Sequence, residues 1–169
     1  MAKHSTYAVA AILAVALILP AIALAARDVA GIKRGFVVQG RVFCDTCRAG
    51  FETPASTYIR GAKVSVECRS RITGAKTCSF DGTTDHTGTY NILIADEHDD
   101  HEICESVLVS SPESGCKTVL RGRKRAPVFL SRNNGIASDT RFANSLGFTK
   151  DTPLSICTQL LKTYEQYEV

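Results

Sequence analysis

The sequence lacks the short motifs that mark many enzyme families. It contains no G-x-S-x-G nucleophile elbow, no phosphate-binding P-loop and no H-E-x-x-H zinc motif. His86, His98 and His101 lie in polar stretches with no obvious nucleophile beside them. Paired carboxylates for glycoside hydrolysis stay open, because a sequence does not give the distance between two side chains. We therefore expect a protein that is not an enzyme and that uses no cofactor and no metal.

Other absences narrow the class further. No N-x-[ST] sequon occurs, so N-glycosylation is not expected. No internal repeat and no low-complexity tract interrupts the chain. Beyond the N-terminus no segment is apolar enough to span a bilayer, and the formal net charge is only +3. Overall charge therefore gives no argument for binding to nucleic acid or to a membrane.

The N-terminal residues have the composition of a secretory signal peptide. A basic start at Lys3 precedes an apolar block, Pro20 and a tail of small residues with an A-x-A cleavage pattern ending at Ala25 or Ala26. The alternative is a membrane anchor, but the proline and the charged residues that follow favour cleavage. We expect a leader over residues 1–26 and a single secreted domain over residues 27–169.

Seven cysteines follow the predicted leader, in a chain directed to an oxidising compartment. Most of them should therefore form disulfides, and an odd number leaves one thiol outside three bridges. Spacing alone does not select the pairs. The cysteines are Cys44, Cys47, Cys68, Cys78, Cys104, Cys116 and Cys157.

The stretch Gly40–Arg48 places Cys44 and Cys47 just after an alternating strand, Phe36–Phe43. A thioredoxin-like redox pair would need a helix N-terminus, whereas the preceding strand is antiparallel in character. A zinc site would need a second pair at similar spacing, and there is none. We expect each cysteine to bridge to a distant partner. Gly40 should mark a bulge or a close approach.

Period-two alternation recurs along most of the remaining chain. In Gly61–Arg69, Val64, Val66 and Cys68 share one face, so Cys68 should point inward and meet an inward cysteine on another strand. Together these segments predict an all-β fold, an antiparallel Greek-key sandwich or partly closed barrel of about seven strands. Further strands are predicted over Thr77–Thr84, Thr89–Ala95, Ile103–Ser110, Val128–Leu130 and Ile136–Phe142.

Two predictions concern the later part of the chain. Asn133–Gly135 carries an Asn-Gly pair, which is typical of a tight hairpin between the last two predicted strands. Near the C-terminus, Thr152–Leu154 could cap a short helix in which Leu154, Cys157, Leu161 and Tyr164 share a face.

Two polar segments could bind ligands. Glu97–Glu102 collects side chains that could hold Ca²⁺, although we interpret it as a solvated loop. Arg121–Arg125, the basic segment, is the densest cluster of positive charge. It could bind an acidic polymer or serve as a dibasic processing site. A solvated loop is again the simpler interpretation.

The run G-R-V-F-C-D-T-C-R within Val38–Phe51 resembles the signature of the plant pollen Ole e I allergen family. The resemblance continues through Ile59–Ala62, Cys68, Gly88–Tyr90, Cys104, Glu105, Ser110, Cys116, Asn144–Phe148 and Cys157. It implies a secreted six-cysteine β-domain stapled by three disulfides, with a tethered C-terminal tail. The implied pairs are Cys44–Cys116, Cys47–Cys157 and Cys68–Cys104.

The resemblance also implies a role. Members are associated with pollen tube growth and the extracellular matrix, in part as ligands of cell-surface receptor kinases, and they are not established enzymes. We therefore expect a ligand or matrix-interaction module in the apoplast or cell wall. The alternative is a pectin-binding module or weak carbohydrate-active enzyme, in which an acidic polysaccharide meets Arg121, Arg123, Lys124 and Arg125.

Cys78 departs from the six-cysteine pattern of the family. We expect a buried or partly shielded thiol there. The alternatives are a disulfide-linked dimer and a rival bridge from Cys78 to Cys68 across a hairpin. The chain also lacks the proline-rich extension of extensin-like relatives.

Overall fold

The computed structural model describes residues 35–95, 98, 101–132 and 135–166. The leader predicted over residues 1–26 lies outside the described residues. The described residues form ten strands and one helix. The strands are β1 (Phe36–Asp45), β2 (Thr57–Tyr58), β3 (Lys63–Ser70), β4 (Lys76–Thr83), β5 (Thr89–Ile94), β6 (Glu102–Ser110), β7 (Thr118–Val119), β8 (Arg125–Val128), β9 (Thr140–Phe142) and β10 (Leu146–Thr149), and the helix is α1 (Cys157–Glu165).

Strand β1 is the centre of a six-stranded sheet. Its first half pairs with β5 in antiparallel and with β9 in parallel orientation. Its second half pairs with β2 in antiparallel and with β10 in parallel orientation. Strand β7 completes the sheet beside β10. The ten-residue strand that ends in the cysteine pair therefore has hydrogen-bonded neighbours on both sides along most of its length.

The second sheet is antiparallel and has the strand order β4-β3-β6-β8. Strand β3 lies at its centre, where the inward positions Val64, Val66 and Cys68 are buried. The inner faces of the two sheets share one core. Its largest fully buried side chains include Tyr90, Phe36 and Phe148.

The prediction of an all-β fold with two packed sheets is confirmed, and the described strands form no closed barrel. The strand count is ten rather than seven, because β2, β7 and β10, which were not predicted, are only two to four residues long. Segments so short show no readable period. The six-stranded sheet is mixed rather than antiparallel, since β9 and β10 both pair with β1 in parallel orientation. Strand β9 lies beside the first half of β1 and β10 beside the second half.

The Asn-Gly hairpin prediction is wrong. The strands on either side of it belong to different sheets, because β8 pairs with β6 whereas β9 pairs with β1. The chain therefore crosses between the sheets at this point, and the two strands do not form a ladder. Asn133 and Asn134 themselves lie outside the described residues.

The C-terminal helix begins later than expected. Ile156 occupies the N-cap position and makes no side-chain capping bond, so Thr152–Leu154 does not cap the helix. Within α1 only Cys157 is buried. The helix is therefore a surface element whose one buried side chain is a disulfide cysteine.

Candidate functional site

Three disulfides connect distant parts of the described chain. They join Cys44 to Cys116, Cys47 to Cys157 and Cys68 to Cys104, which are the pairs that the family resemblance implies. Cys44 lies inside β1 and Cys47 in the turn after it. Their partners are 72 and 110 residues further along the chain. The cysteine pair of the opening stretch therefore anchors two other segments and is not bridged to itself.

Asp45 builds the turn that separates these two cysteines. Its carboxylate is fully buried, and Oδ1 accepts hydrogen bonds from the backbone N–H groups of Cys47 at 3.2 Å and Ala49 at 3.1 Å. Oδ2 accepts a third from Gly50 at 2.8 Å. Arg48 within the turn has a positive φ of 55°. Asp45 was not singled out from the sequence, although its place between the cysteines was a usable signal.

The same turn holds the chain that leads into α1. The backbone N–H of Leu154 donates to the carbonyl oxygen of Thr46 at 3.1 Å. Arg48 donates from Nη1 to the carbonyl oxygen of Asp151 at 3.1 Å. Further along, Phe51 and Tyr164 form an edge-to-face ring contact with centroids 5.3 Å apart. The Cys47–Cys157 bridge lies within this set of contacts.

The outer face of the six-stranded sheet carries an open groove of about 360 Å³, which we call the Phe142 groove. Phe142 is 75% exposed, and in register beside it lies Gln39, which donates to Oδ1 of Asn91 at 2.9 Å. The guanidinium of Arg41 stacks on the ring of Tyr58 at 3.4 Å. The remaining lining residues are Gly40, Thr89, Ala143 and Ser145. Strand alternation predicts which of these side chains face outward, but not that β9 lies beside β1.

The basic segment connects β7 of one sheet to β8 of the other. Arg121, Lys124 and Arg125 are exposed, and Arg123 is half-buried. The backbone of the segment is tied to both sheets, since Gly147 donates to the carbonyl of Arg123 and Leu108 donates to that of Lys124. Across the described part of the chain the ion pairs include Arg125 but none of the other three cations.

Arg125 belongs to a network of ion pairs on the outer face of the second sheet. Its Nη1 donates to Glu105 at 3.0 Å and to Glu67 at 3.3 Å. Glu67 also accepts from Lys76 at 2.9 Å and from Arg69 at 3.1 Å. These contacts, the Lys76 hydrogen bond foremost, lower the pKa of Glu67 to about 2. The four cations predicted as one polyanion site therefore differ in their surroundings, because Arg125 already forms ion pairs with Glu67 and Glu105.

Of the acidic loop Glu97–Glu102, the structure describes His98, His101 and Glu102. Nδ1 of His98 lies 2.5 Å from Oε2 of Glu102, and the His98 ring packs edge-on against Phe80. A hydrogen bond from Thr77 is the largest of the effects that lower the pKa of Glu102. The other loop positions, including Glu97, lie outside the described residues, so the calcium-loop alternative stays untested.

The His98–Glu102 pair lies beside the third disulfide. A ring nitrogen of His98, a carboxylate oxygen of Glu102 and the sulfurs of Cys68 and Cys104 all lie within 4.8 Å of one another. The His98 side chain is 9% exposed, and its Nε2 has no hydrogen-bond partner among the described residues. A small cavity of about 60 Å³ adjoins the group. No sequence pattern links His98 to Cys104, since only the fold brings them together.

Arg141 is a buried cation that sequence reasoning missed. It is 3% exposed and donates to the carbonyl oxygens of Phe129 at 2.9 Å, Ser131 at 3.1 Å and Ser138. Its guanidinium also lies 4.6 Å from the centroid of the Phe36 ring. Burial lowers the pKa of Arg141. The residue ties the crossing between β8 and β9 to the start of β1, which is a structural role.

Comparison with known proteins adds to this geometry. A family model described as "Pollen protein Ole e 1 like" matches residues 34–165. The chain belongs to this Ole e 1-like pollen protein family. Pollen-specific protein C13 from Zea mays is 52% identical over 127 residues, covering 75% of this chain and 74% of the relative. Olee1-like protein from Betula pendula is 45% identical over 130 residues, covering 75% and 78%.

A solved structure of similar fold is that of the major plantain pollen allergen Pla l 1. Its crystal structure matches with a TM-score of 0.62 and 29% sequence identity, covering 71% of this chain and 97% of the other. The names of these three similar proteins describe pollen proteins and an allergen, and none of the three names denotes an enzyme. In the described part of our chain, α1 is too short and too polar to cross a bilayer as a helix.

Proposed function

We propose that this Ole e 1-like protein is a secreted, non-enzymatic protein of the apoplast or cell wall. It acts as a ligand or matrix-interaction module in the growth of pollen tubes or other tissue. Family membership supports this role, as do the predicted leader over residues 1–26 and the three disulfides, which suit an oxidising compartment.

The Phe142 groove is the observation that carries the proposal. A phenylalanine that is 75% exposed loses apolar hydration when a partner covers it, and aromatic residues are enriched where interfaces gain most of their energy. Gln39 and Arg41 add hydrogen-bond donors at the rim. The groove is open rather than enclosed, which suits the surface of another macromolecule, such as the outer domain of a receptor kinase.

The arrangement of acid–base residues also favours a non-enzymatic role. His98 and Glu102 are the described pair closest to a general acid–base dyad, and they contact each other beside the Cys68–Cys104 disulfide. Their adjoining cavity of about 60 Å³ has room for one or two water molecules but not for a sugar unit. A polysaccharide substrate would therefore not reach this dyad.

A binding assay on intact pollen tubes tests the proposal. Fluorescently labelled mature, oxidised protein is added to growing tubes, and the bound fraction and tube length are measured. Phe142→Ser should weaken binding about tenfold or more, as expected for a central aromatic contact. Phe129→Ser is the matched control, because Phe129 is 65% exposed but lies outside the groove. Equal binding by wild type and Phe142→Ser would refute the role of the groove.

A second candidate function is binding of an acidic cell-wall polysaccharide such as de-esterified pectin. The supporting observation is that Arg121, Arg123 and Lys124 share a short segment and enter no ion pair with a described residue. A polyanion could therefore pair with all three of these positive charges and release its own counterions on binding. Arg125 would contribute less, because it already forms ion pairs with Glu67 and Glu105.

Polygalacturonate and its methyl-esterified form separate this candidate from the first. Binding to the acidic polymer should fall steeply as salt is raised, and the esterified polymer should bind weakly at every salt concentration. The triple variant Arg121→Gln, Arg123→Gln, Lys124→Gln should lose binding, whereas Arg125→Gln should keep most of it. Binding that is insensitive to salt, or that survives the triple substitution, would exclude this function.

A further inference from the structure

Three cysteines lie side by side across adjacent strands of the second sheet. Cys68 on β3 is in register with Cys104 on β6 and, on its other side, with Cys78 on β4. Residues opposite each other in a sheet point to the same face. Cys68 and Cys104 are accordingly buried in the core, and the half-buried Cys78 packs against the same core.

The backbone allows Cys68 to bridge to either neighbour. The Cα atoms of Cys68 and Cys104 are 4.1 Å apart, as expected for a pair without direct backbone hydrogen bonds. A residue in a central strand turns both of its backbone polar groups to one side, so alternation makes Cys68 and Cys78 a hydrogen-bonded pair. This pair lies next to the irregularity that the β3–β4 ladder has between Cys68 and Arg69. The Cα atoms of such a pair are about 5.5 Å apart, a common separation for disulfides.

The order of the three cysteines across the sheet also suits thiol–disulfide exchange. A thiolate displaces one sulfur of a disulfide by attacking the other from the opposite side. Cys78 lies on the side of Cys68 that faces away from Cys104. An attack by Cys78 on the sulfur of Cys68 would therefore release Cys104, and all of the reacting sulfurs are already inside one protein.

The leaving sulfur has an acid–base group beside it. A ring nitrogen of His98 lies within 4.8 Å of the Cys104 sulfur, and Glu102 contacts the same ring. Nε2 of His98 is buried, and no residue in the described part of the chain forms a hydrogen bond with it, which is a costly arrangement for a polar atom. A thiol at Cys104 would give this ring a partner with which to exchange a proton.

We propose that Cys78, Cys68 and Cys104, with His98 and Glu102, form an internal thiol–disulfide exchange site. The thiolate of Cys78 bonds to the sulfur of Cys68, and the Cys68–Cys104 bond breaks with its electron pair on Cys104. Cys104 takes a proton from His98, and the proton that Cys78 lost returns to His98 through solvent. One disulfide and one thiol are present before and after, so no external oxidant or reductant is needed.

Disulfide mapping of the mature oxidised protein tests the exchange. The protein is held at neutral pH, quenched in acid, denatured and alkylated with a maleimide, and its peptides are identified by mass spectrometry. The label should be divided between Cys78 and Cys104, with both the Cys68–Cys104 and the Cys68–Cys78 peptide pairs present. Label on one of these cysteines alone, at every time point, would overturn the proposal.

Two matched variants make the result independent of the equilibrium position. Cys104→Ser should trap the Cys68–Cys78 bridge in a folded protein, and Cys78→Ser should show only the Cys68–Cys104 bridge. Both variants keep the other two disulfides, which serve as an internal check of folding. Cys104→Ser protein that is folded but labels at both Cys68 and Cys78 would show that the second bridge cannot form.

The role of His98 has a kinetic readout. The two disulfide isomers are separated in acid, and each is returned to neutral pH while the approach to equilibrium is sampled by acid quenching. His98→Gln should slow this approach about tenfold or more without changing the final ratio by a similar factor, as expected for loss of general acid–base assistance. An unchanged rate would remove His98 from the site. The assay reads sulfur pairing alone, so its outcome does not depend on the proposed extracellular role.

Discussion

The buried carboxylate of Asp45 accepts a hydrogen bond of 2.8 Å from the backbone N–H of Gly50. With its bonds to Cys47 and Ala49, this single side chain satisfies three backbone donors in the turn that follows β1. The turn directs Cys44 and Cys47 to different partners. The D in the C-D-T-C run is therefore a structural requirement of the disulfide framework, as the cysteines are.

Replacing Asp45 with asparagine should destabilise the protein by about 2 to 4 kcal/mol. Asparagine keeps the shape of the side chain but presents one NH₂ group to backbone N–H donors, which leaves buried donors without acceptors. Urea unfolding of the oxidised protein measures the loss. Asp81→Asn on the exposed side of β4 is the control and should change stability by less than about 0.5 kcal/mol. Equal stability of the two variants would contradict this account.

Removing the Cys47–Cys157 bridge should release α1 from the sheets. The helix buries only Cys157, so few other contacts hold it. The double variant Cys47→Ala, Cys157→Ala should lose amide-exchange protection over residues 157–165 and about 2 to 5 kcal/mol of stability. Cys78→Ala keeps all three bridges and should keep the protection. Protection of α1 that survives the double substitution would show that surface contacts suffice.

The sequence and the structure agree where side chains alternate over long segments. The inward position of Cys68 followed from the pattern of Val64 and Val66, and β3 confirms it. The four residues of β10 carry no such period, so this strand was not foreseen. A strand was predicted over Ile136–Phe142, but its parallel pairing with β1 was not. An Asn-Gly pair indicates only a local turn preference. Here β9 pairs with β1, so the chain after this turn joins the other sheet and does not pair with β8.

The candidate sites depended even more on tertiary structure. The sequence shows the four positive charges of the basic segment. Only the sheet order, in which β6 lies between β3 and β8, brings Arg125 to Glu67. His98 is a close neighbour of Cys104 in the third disulfide, yet no motif links a histidine in a polar loop to a cysteine in a strand. The Phe142 groove likewise exists only because β9 lies beside β1.

The charge network around Glu67 predicts a stability difference that depends on pH. The pKa of Glu67 is lowered from 4.5 to about 2, so the folded state gains stability from the ionised carboxylate above about pH 4.5. That gain should disappear as the pH falls from about 4.5 to about 2. The shift alone corresponds to about 3 kcal/mol. Because the Arg69 and Lys76 side chains are 41% and 43% exposed, we expect about 1 to 2 kcal/mol.

Glu67→Gln measures this contribution directly. Urea unfolding of the variant and of the wild type, repeated between pH 7 and about pH 2, should show the full difference at neutral pH and none at the acidic end. Added salt should reduce the difference at neutral pH, because the cations are partly exposed. A difference that stays constant across the pH range would assign the loss to packing instead of charge.

Gly40 and Tyr90 are expected to be energetically coupled. A Cβ atom at Gly40 would lie 2.2 Å from the phenol oxygen of Tyr90, so the tyrosine ring occupies the space that a side chain would need. This is the close approach expected at Gly40, and it lies beside the Phe142 groove. Gly40→Ala should therefore cost about 1 to 3 kcal/mol through overpacking.

A double-mutant cycle with Tyr90→Leu tests the coupling between the two positions. Leucine removes the phenol tip, so the combined variant should be more stable, by about 1 kcal/mol or more, than the sum of the two single losses predicts. The same cycle between Gly40→Ala and the distant Asp81→Asn should be additive within about 0.5 kcal/mol. Additivity in both cycles would mean that Tyr90 can move aside and that another contact makes Gly40 necessary.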